Sequence, residues 1–349
     1  MAIAYREWRD GDDLALLEMW GGPETEQARQ FRGTLAPSGN APWRRCIVAE
    51  DVVDGVAIPV AAGVVHEASL HPERLWAYVE VDRHHRRTGV GSTLLTMLRH
   101  EAAQSPSGVS RLRTKVEPGT PGAAFAEAAG LAPIQRSRLV VVDPGALRLP
   151  VFGDGSEAAA SEQIEDLATG SVELSDVVGR YYTAVHGWDS PGDLSIATVQ
   201  RLFLDELSGA HGAIVLRAPK ASAFGQGVPA SKKGRLEAFA ISYAELTPGD
   251  SPAGDKAAGE AAAAPAGQPT DVFLGHEPKL SADEARAAVR DLLALIAFQH
   301  PVLLELDDSM EALRAVVEPL LESGKARVQG AETLVVSDRP RPLNATDPQ

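Results

Sequence analysis

A chain of 349 residues exceeds one typical domain, so two are expected, and its 44% hydrophobic, 23% charged composition is that of a globular protein. A formal net charge of −15 argues against nucleic acid or an anionic membrane as partner, and no apolar run is long enough to span a bilayer. The single cysteine, Cys46, excludes an internal disulfide and a cysteine-based zinc site, and the mixed, acidic start MAIAYREWRDGDD reads as neither signal nor transit peptide, which makes a cytoplasmic location the expectation.

Ile3 to Trp8 reads as a strand, after which Asp10 or Asp12 can cap a helix from Asp13 to Trp20. Gly21-Gly22-Pro23 breaks that helix, and Thr25 is placed to cap a second one running toward Leu35. Strands follow at residues 45 to 49 and 56 to 69, with His71-Pro72-Glu73 turning the chain back. Leu75 to Val81 is an apolar run rich in β-formers, read as a buried strand. A short basic loop, Arg83 to Gly91, comes next. From Ser92 the period changes, and Leu94, Leu95, Leu98 and Ala102 share one helix face. Arg111 to Val116 is then a strand, Ala123 to Ala129 a helix closed by Gly130, and Ser137 to Val142 a strand.

A strand, a tight loop and a helix N-terminus together form an anion site, because the first helical amides lack partners and the helix dipole is positive there. Gly89 and Gly91 would let the backbone approach a diphosphate, while Arg86 and Arg87 add charge. His84 and His85 stand among arginines that would repel a cation, so they read as part of this loop and no metal site is expected. Arg86-Arg87-Thr88-Gly89-Val90-Gly91 matches the R-x-x-G-x-G signature, and Val79, Val81, Leu94 and Leu95 fall in register with it. In these residues the chain resembles the GNAT superfamily of acyl-CoA-dependent N-acetyltransferases, with Arg83 standing where that family usually has proline. The resemblance covers roughly residues 1 to 145 and implies acetyl-CoA as cosubstrate, held by Val79, Val81, Arg86, Arg87, Thr88, Gly89, Val90, Gly91 and Ser92. It also implies backbone N–H groups near Val81 that hold the thioester carbonyl.

The base that deprotonates the amine is usually a carboxylate in that family. Glu80 on the motif strand is the first candidate, with Glu67 and His66 on the neighbouring strand behind it. Each of these could equally be a solvated strand residue. The family's general acid is a tyrosine four residues before the closing glycine, where this chain has Ala126. Trp20 is a candidate lining residue for the acceptor pocket or a core aromatic.

Residues 146 to 160 read as a linker. Beyond it come a helix at 171–186, a Gly187-Trp188-Asp189 turn, a helix at 195–207, and strands at 212–217 and 235–243. Residues 247 to 270 cannot bury a core and read as a disordered surface insert. A strand at 272–276, a helix at 281–298 opened by the capping box Ser281-x-x-Glu284, a strand at 302–306, a helix at 310–321 and a strand at 326–336 complete the half, before a polar tail at 339–349. This order resembles the first half, so the fold class expected is α/β with a mixed sheet in two GNAT-like domains, 1–145 and 161–338. The second lacks arginine and Gly-X-Gly at the matching loop and is read as degenerate. The functional expectation is acetyl transfer from acetyl-CoA to the primary amine of a small molecule. A non-catalytic acyl-CoA-binding protein and a peptide N-acetyltransferase are the alternatives, and a homodimer is left open. His186 and Trp188 are candidates to face a ligand or to sit satisfied in the core.

Overall fold

The computed structural model describes residues 2–23, 26–219, 233–244 and 268–338. The expected cap at Thr25, nearly all of the insert and the polar tail lie outside the described residues. The elements run β1 (Ala2–Glu7), α1 (Asp12–Trp20), α2 (Glu26–Arg32), β2 (Gly39–Asn40), β3 (Trp43–Val53), β4 (Val56–His66), β5 (Leu75–Val81), α3 (Val90–Ala102), β6 (Leu112–Val116), α4 (Pro121–Ala128) and β7 (Leu131–Val142). They continue with α5 (Glu157–Gln163), β8 (Ile164–Asp166), α6 (Val172–Val185), α7 (Ile196–Val199), β9 (Ala210–Arg217), β10 (Leu236–Tyr243), β11 (Thr270–His276), α8 (Ala282–Ile296), β12 (Val302–Asp307), α9 (Glu311–Glu322) and β13 (Ala326–Asp338). The expected mixed α/β class is the one found.

The chain forms two compact units. The first joins Met1–Arg136 to Trp188–Gly192 and Thr333–Gln349; the second joins Ser137–Gly187 to Asp193–Glu332. In the first unit β1, β3, β4 and β5 are antiparallel neighbours. β5 then lies parallel to β6 over two residue pairs, Leu75 beside Leu112 and Trp76 beside Arg113. On its other side β6 pairs antiparallel with the end of β13, Leu334 to Ser337. Strand alternation sorts the side chains onto two faces. Leu75 and Ala77 pack with Leu94, Leu95 and Leu98 of α3, whereas Val48, Ala62 and Val64 pack with Leu16 and Leu35 on the α1 side.

Neither Asp10 nor Asp12 caps α1. Its cap is Gly11 in the left-handed region (φ 90°), and Asp12 instead accepts the Arg9 amide at 2.6 Å and both guanidinium nitrogens of Arg6 at 2.7 and 2.8 Å. A one-residue register shift at Val60 puts a bulge in β4, and the Val60 carbonyl accepts the Asp82 amide at 2.8 Å.

The short segment Trp188–Gly192 is held in the first unit by charge. Asp189, whose side chain is wholly buried, pairs with Arg113 and, at 2.5 Å, with Arg74; its carbonyl accepts from His71 Nδ1 at 2.6 Å. The Arg113 guanidinium lies 4.1 Å from the centre of the Trp76 ring, a cation–π contact.

In the second unit the 137–142 part of β7 pairs antiparallel with β12. β12 is parallel to β11 over Thr270/Val302 and Asp271/Leu303, and β11, β10, β9 and β8 follow antiparallel. The capping box at Ser281 and Glu284 forms as expected. The helix expected at 195–207 is broken: α7 passes into a π-helical turn at Gln200–Leu204 and a 3-10 turn at Glu206–Ser208. The segment expected as a linker carries the start of α5.

Candidate functional site

Beyond Trp76 and Arg113 the two parallel strands part, while β5 runs on to Val81 and β6 to Val116. The β5 backbone from Tyr78 to Val81 is thus released from ladder pairing on that side, and a cleft opens toward the N-terminus of α3. Val79 and Val81 direct their side chains into the α3-side core, so what they present to the cleft is backbone.

The loop between β5 and α3 is ordered by its own side chains. Asp82, 3% exposed, accepts the His84 amide at 2.8 Å and contacts His85 Nδ1 at 3.0 Å. Burial would raise the Asp82 carboxyl, but the bonds from His85 and the His84 amide outweigh it and hold the group below its ordinary value. His85 Nε2 reaches Asp51 at 3.3 Å, so its imidazole bridges two carboxylates. The two histidines therefore brace the loop through the protein itself, with His84 Nε2 accepting from Arg83 at 3.0 Å. Arg86 folds back to donate to the Val81 carbonyl at 2.9 Å, and the Thr88 hydroxyl donates to the His85 carbonyl at 2.6 Å.

Arg87 (φ 65°) and Gly89 (φ 92°) both adopt left-handed backbone, and α3 starts its ladder with the Thr93 amide on the Gly89 carbonyl. The amides before Thr93 therefore point out of the helix end, where an anion would meet them. Arg87, Thr88, Gly89 and Ser92 are exposed around this end, while Val90 is buried as an apolar anchor. The two glycines differ in role. A Cβ on Gly89 would meet nothing within 4 Å, so what it needs is its φ. A Cβ on Gly91 would lie 3.5 Å from Val81 and 3.6 Å from Phe125, so this position faces the protein with room for a methyl group in ordinary contact.

The opposite face of β5 carries Trp76, Tyr78 and Glu80 beside α1 and α2. Arg32, in the last turn of α2, grips Glu80 through two bonds of 2.8 and 2.6 Å, and the Tyr78 hydroxyl donates a third at 2.6 Å. The Glu80 carboxylate holds Arg32 above its ordinary value, and burial together with that carboxylate pushes the Tyr78 phenol up. Phe31 stacks on Tyr78 at 5.0 Å, and Trp20 lies under the Arg32 guanidinium at 5.2 Å. Trp20 thus belongs to the rim of this aromatic and ionic cluster.

The three carboxylate and imidazole candidates do not converge. His66 shares the Glu80 face, but the register sets it opposite Trp76, four residues along, about 13 Å away by strand rise. Burial lowers its pKa, and its Nδ1 lies 3.1 Å from the Glu67 carbonyl. Glu67 accepts from Ser105 Oγ at 3.2 Å, just beyond the end of α3. Ala126, at the position where the resemblance implies a tyrosine, is 3% exposed and packs with Val116 and Leu131. Arg32 gave no signal in the sequence. Tyr78, two residues before Glu80 on a strand, was findable from alternation.

In the second unit β11 and β12 also part after two pairs, but the helix end beyond them is filled from within. Glu277, 5% exposed, accepts the Lys279 amide at 3.1 Å and Arg180 at 2.6 Å, and Glu284 accepts the Ser281 amide at 2.8 Å. Carboxylates of the chain thus stand where an anion would have to bind. His186 lies in the second unit and Trp188 in the first, where it stacks 6.3 Å from His71.

Among the described residues no helix is long and apolar enough to cross a membrane, and no three His, Cys, Asp or Glu side chains gather to hold a metal ion. No family model and no curated protein matches the sequence. Among solved structures the chain is similar to a GCN5-related N-acetyltransferase from Sphaerobacter thermophilus, with TM-score 0.52, 13% identity, and 97% of this chain and 96% of that chain covered. The fold is therefore that of the GCN5-related, or GNAT, N-acetyltransferases, over nearly the whole chain. It is also similar to the tandem GNAT protein from the clavulanic acid biosynthesis pathway (TM-score 0.47, 15% identity, 98% and 100% covered) and to a GCN5-related N-acetyltransferase from Anabaena variabilis (0.47, 11%, 96% and 72%).

Proposed function

We propose that this protein is an N-acetyltransferase whose first unit holds acetyl-CoA and passes the acetyl group to the primary amine of a small molecule. The observation that carries this reading is the cleft where β5 and β6 part, opening onto the N-terminus of α3 with Gly89 in the left-handed region. The residues fit the group. Amides of the Thr88–Ser92 turn and the exposed Arg87 face a diphosphate, and the released β5 backbone near Val81 offers N–H groups to a pantetheine and a carbonyl.

Acetyl-CoA supplies an activated acetyl thioester. Everything else falls to the chain. The β5 amides stabilise charge on the carbonyl oxygen as the amine attacks. Glu80, on the far face of the same strand, attracts the acceptor's ammonium group and takes its proton directly or through water. Arg32 and the Tyr78 hydroxyl already occupy both of its oxygens, which makes Glu80 a better anchor than base. With Ala126 in place of a donor, the sulfur leaves as thiolate, tolerable for a thiol of pKa about 8.5.

The test is thermal stabilisation of the chain by acetyl-CoA, followed by thiol release with a panel of amines. No stabilisation would refute the reading. Stabilisation without thiol release from any amine would favour the second reading, an acyl-CoA-binding protein without turnover, for which the buried Ala126 is the motive.

A further inference from the structure

The second unit holds a cavity of about 330 Å³ at the mouth of its own strand divergence. It lies at the small end of the range for ligand sites. One wall is aromatic. Tyr182 and His186 stack at 3.8 Å, Tyr182 meets Phe203 at 4.9 Å, and Phe203 meets Phe273 at 6.0 Å. The facing strands bring carboxylates. The parallel register sets Asp271 beside Leu303, and period-two alternation then places Glu305 and Asp307 on that same face. Asp271, Glu305 and Asp307 all line the cavity, and among the described residues no lysine or arginine does.

Among the described residues these carboxylates have no counter-charge: neither Asp271 nor Glu305 forms an ion pair, and the Asp271 carboxylate meets only the Val272 amide. Asp307 is 5% exposed and spends Oδ1 on the amide and hydroxyl of Ser309, at 2.9 and 2.7 Å, with no partner for Oδ2 among the described residues. Partial desolvation among the cavity walls and the neighbouring Glu305 push both aspartates above their ordinary range, the buried Asp307 to about 6. His186 donates from Nδ1 to the Tyr182 carbonyl at 2.9 Å, and burial lowers its pKa, so it brings no positive charge at neutral pH. Gathered anions beside half-buried aromatic rings, with no cation among the described residues, are what a bound organic cation would complete.

We infer that this cavity is a second ligand site, which binds a small organic dication: a diamine whose ammonium groups meet Asp271, Glu305 and Asp307 and whose alkyl spacer lies on Tyr182, Phe203 and Phe273. Two ammonium groups answer the carboxylates carried by two adjacent strands, and a spacer of a few carbons matches the volume. The site is separate from the acetyl-CoA cleft and does not rest on acetyl transfer. With its helix end closed by Glu277 and Glu284, the second unit binds the cation without an acyl donor of its own.

The experiment is titration calorimetry of the full chain with 1,4-diaminobutane, in the wild type and in Glu305→Gln, Asp271→Asn and Phe203→Ala. Glu305 and Asp271 are exposed, so their substitutions leave folding intact. The expected result is one diamine site weakened about tenfold or more by either carboxylate change and also weakened by Phe203→Ala, with the acetyl-CoA thermal shift the same in all four. Butane-1,4-diol, which keeps the spacer and lacks the charges, is expected not to compete. Absence of diamine binding, an isotherm unchanged in both carboxylate variants, equal binding of the diol, or displacement of the diamine by magnesium ion at lower concentration would each overturn the inference.

Discussion

Replacing Gly89 and Gly91 in turn separates the two jobs that the motif glycines perform. Gly89 sits at φ 92° in open space, so Gly89→Val meets no clash and its cost is conformational. Left-handed backbone costs an ordinary residue about 1–2 kcal/mol, and β-branching makes it worse. In a unit of this size that lowers the melting temperature by roughly 2–8 °C. The larger effect is on binding. If the loop escapes the strain by moving to negative φ, the amides at the start of α3 turn away. Each charge-assisted bond lost is worth about 1.5–3 kcal/mol, tenfold or more in affinity. Gly91→Ala is the control. Its new methyl makes ordinary contacts at 3.5–3.6 Å with Val81 and Phe125, and alanine favours a helix interior by up to about 1 kcal/mol. Differential scanning fluorimetry across an acetyl-CoA titration reads both effects. A concentration giving about 2.7 kcal/mol of stabilisation at 100 times Kd gives about 1.4 when Kd rises tenfold. Gly89→Val is expected to show that loss and Gly91→Ala none. Full stabilisation in Gly89→Val, or its loss in Gly91→Ala alone, would refute the placement of the diphosphate.

Other outcomes follow from the same geometry. Glu80→Gln is expected to raise KM for the amine and depress turnover at neutral pH with acetyl-CoA affinity unchanged; a wild-type pH–rate profile would remove Glu80 from the reaction. Each chain is expected to bind one acetyl-CoA in calorimetry, because Glu277 and Glu284 fill the second helix end, and a stoichiometry near two would contradict this. Asp189→Ala strips the buried Arg113 of its carboxylate and is expected to cost about 3–5 kcal/mol by urea denaturation, much of it recovered by adding Arg113→Met; a loss below about 1 kcal/mol would show the pair to be unimportant. Burial raises Asp307 from 3.8 to about 6 against the opposing bonds from Ser309, so between those pH values the folded chain holds more protons than the unfolded one. Stability therefore falls as pH rises through this window and is level above it. Asp307→Asn is expected to gain on the wild type progressively from pH 4 to pH 7, and a constant difference across that range would refute the cause.

What the sequence disclosed was local. The loop at Arg86–Gly91 was legible because a helix N-terminus, a left-handed glycine and their spacing are fixed within a few residues, and the same holds for the capping box at Ser281. Glycines 89 and 91 look alike in sequence, and neighbours distant along the chain, Phe125 above all, distinguish them. The Glu80 carboxylate was visible, but its clamp was not, since Arg32 lies 48 positions away and reaches it by way of α2. Loop bracing by His85 depends likewise on Asp51, across the sheet. The hidden strand β8 and the broken helix after Ser195 show tertiary packing overriding weak local patterns.

The end of β13 beside β6 has a consequence for how this protein is made. During synthesis the first unit's phosphate loop and cleft emerge early, yet the strand that completes its sheet, Leu334 to Ser337, is translated roughly 200 residues after Val116. At about 5–20 residues per second the ribosome needs on the order of ten to forty seconds for that stretch. Throughout that interval β6 presents an unpaired edge to whatever else is nearby, and the sheet beneath the phosphate loop waits on a strand read long after the loop itself.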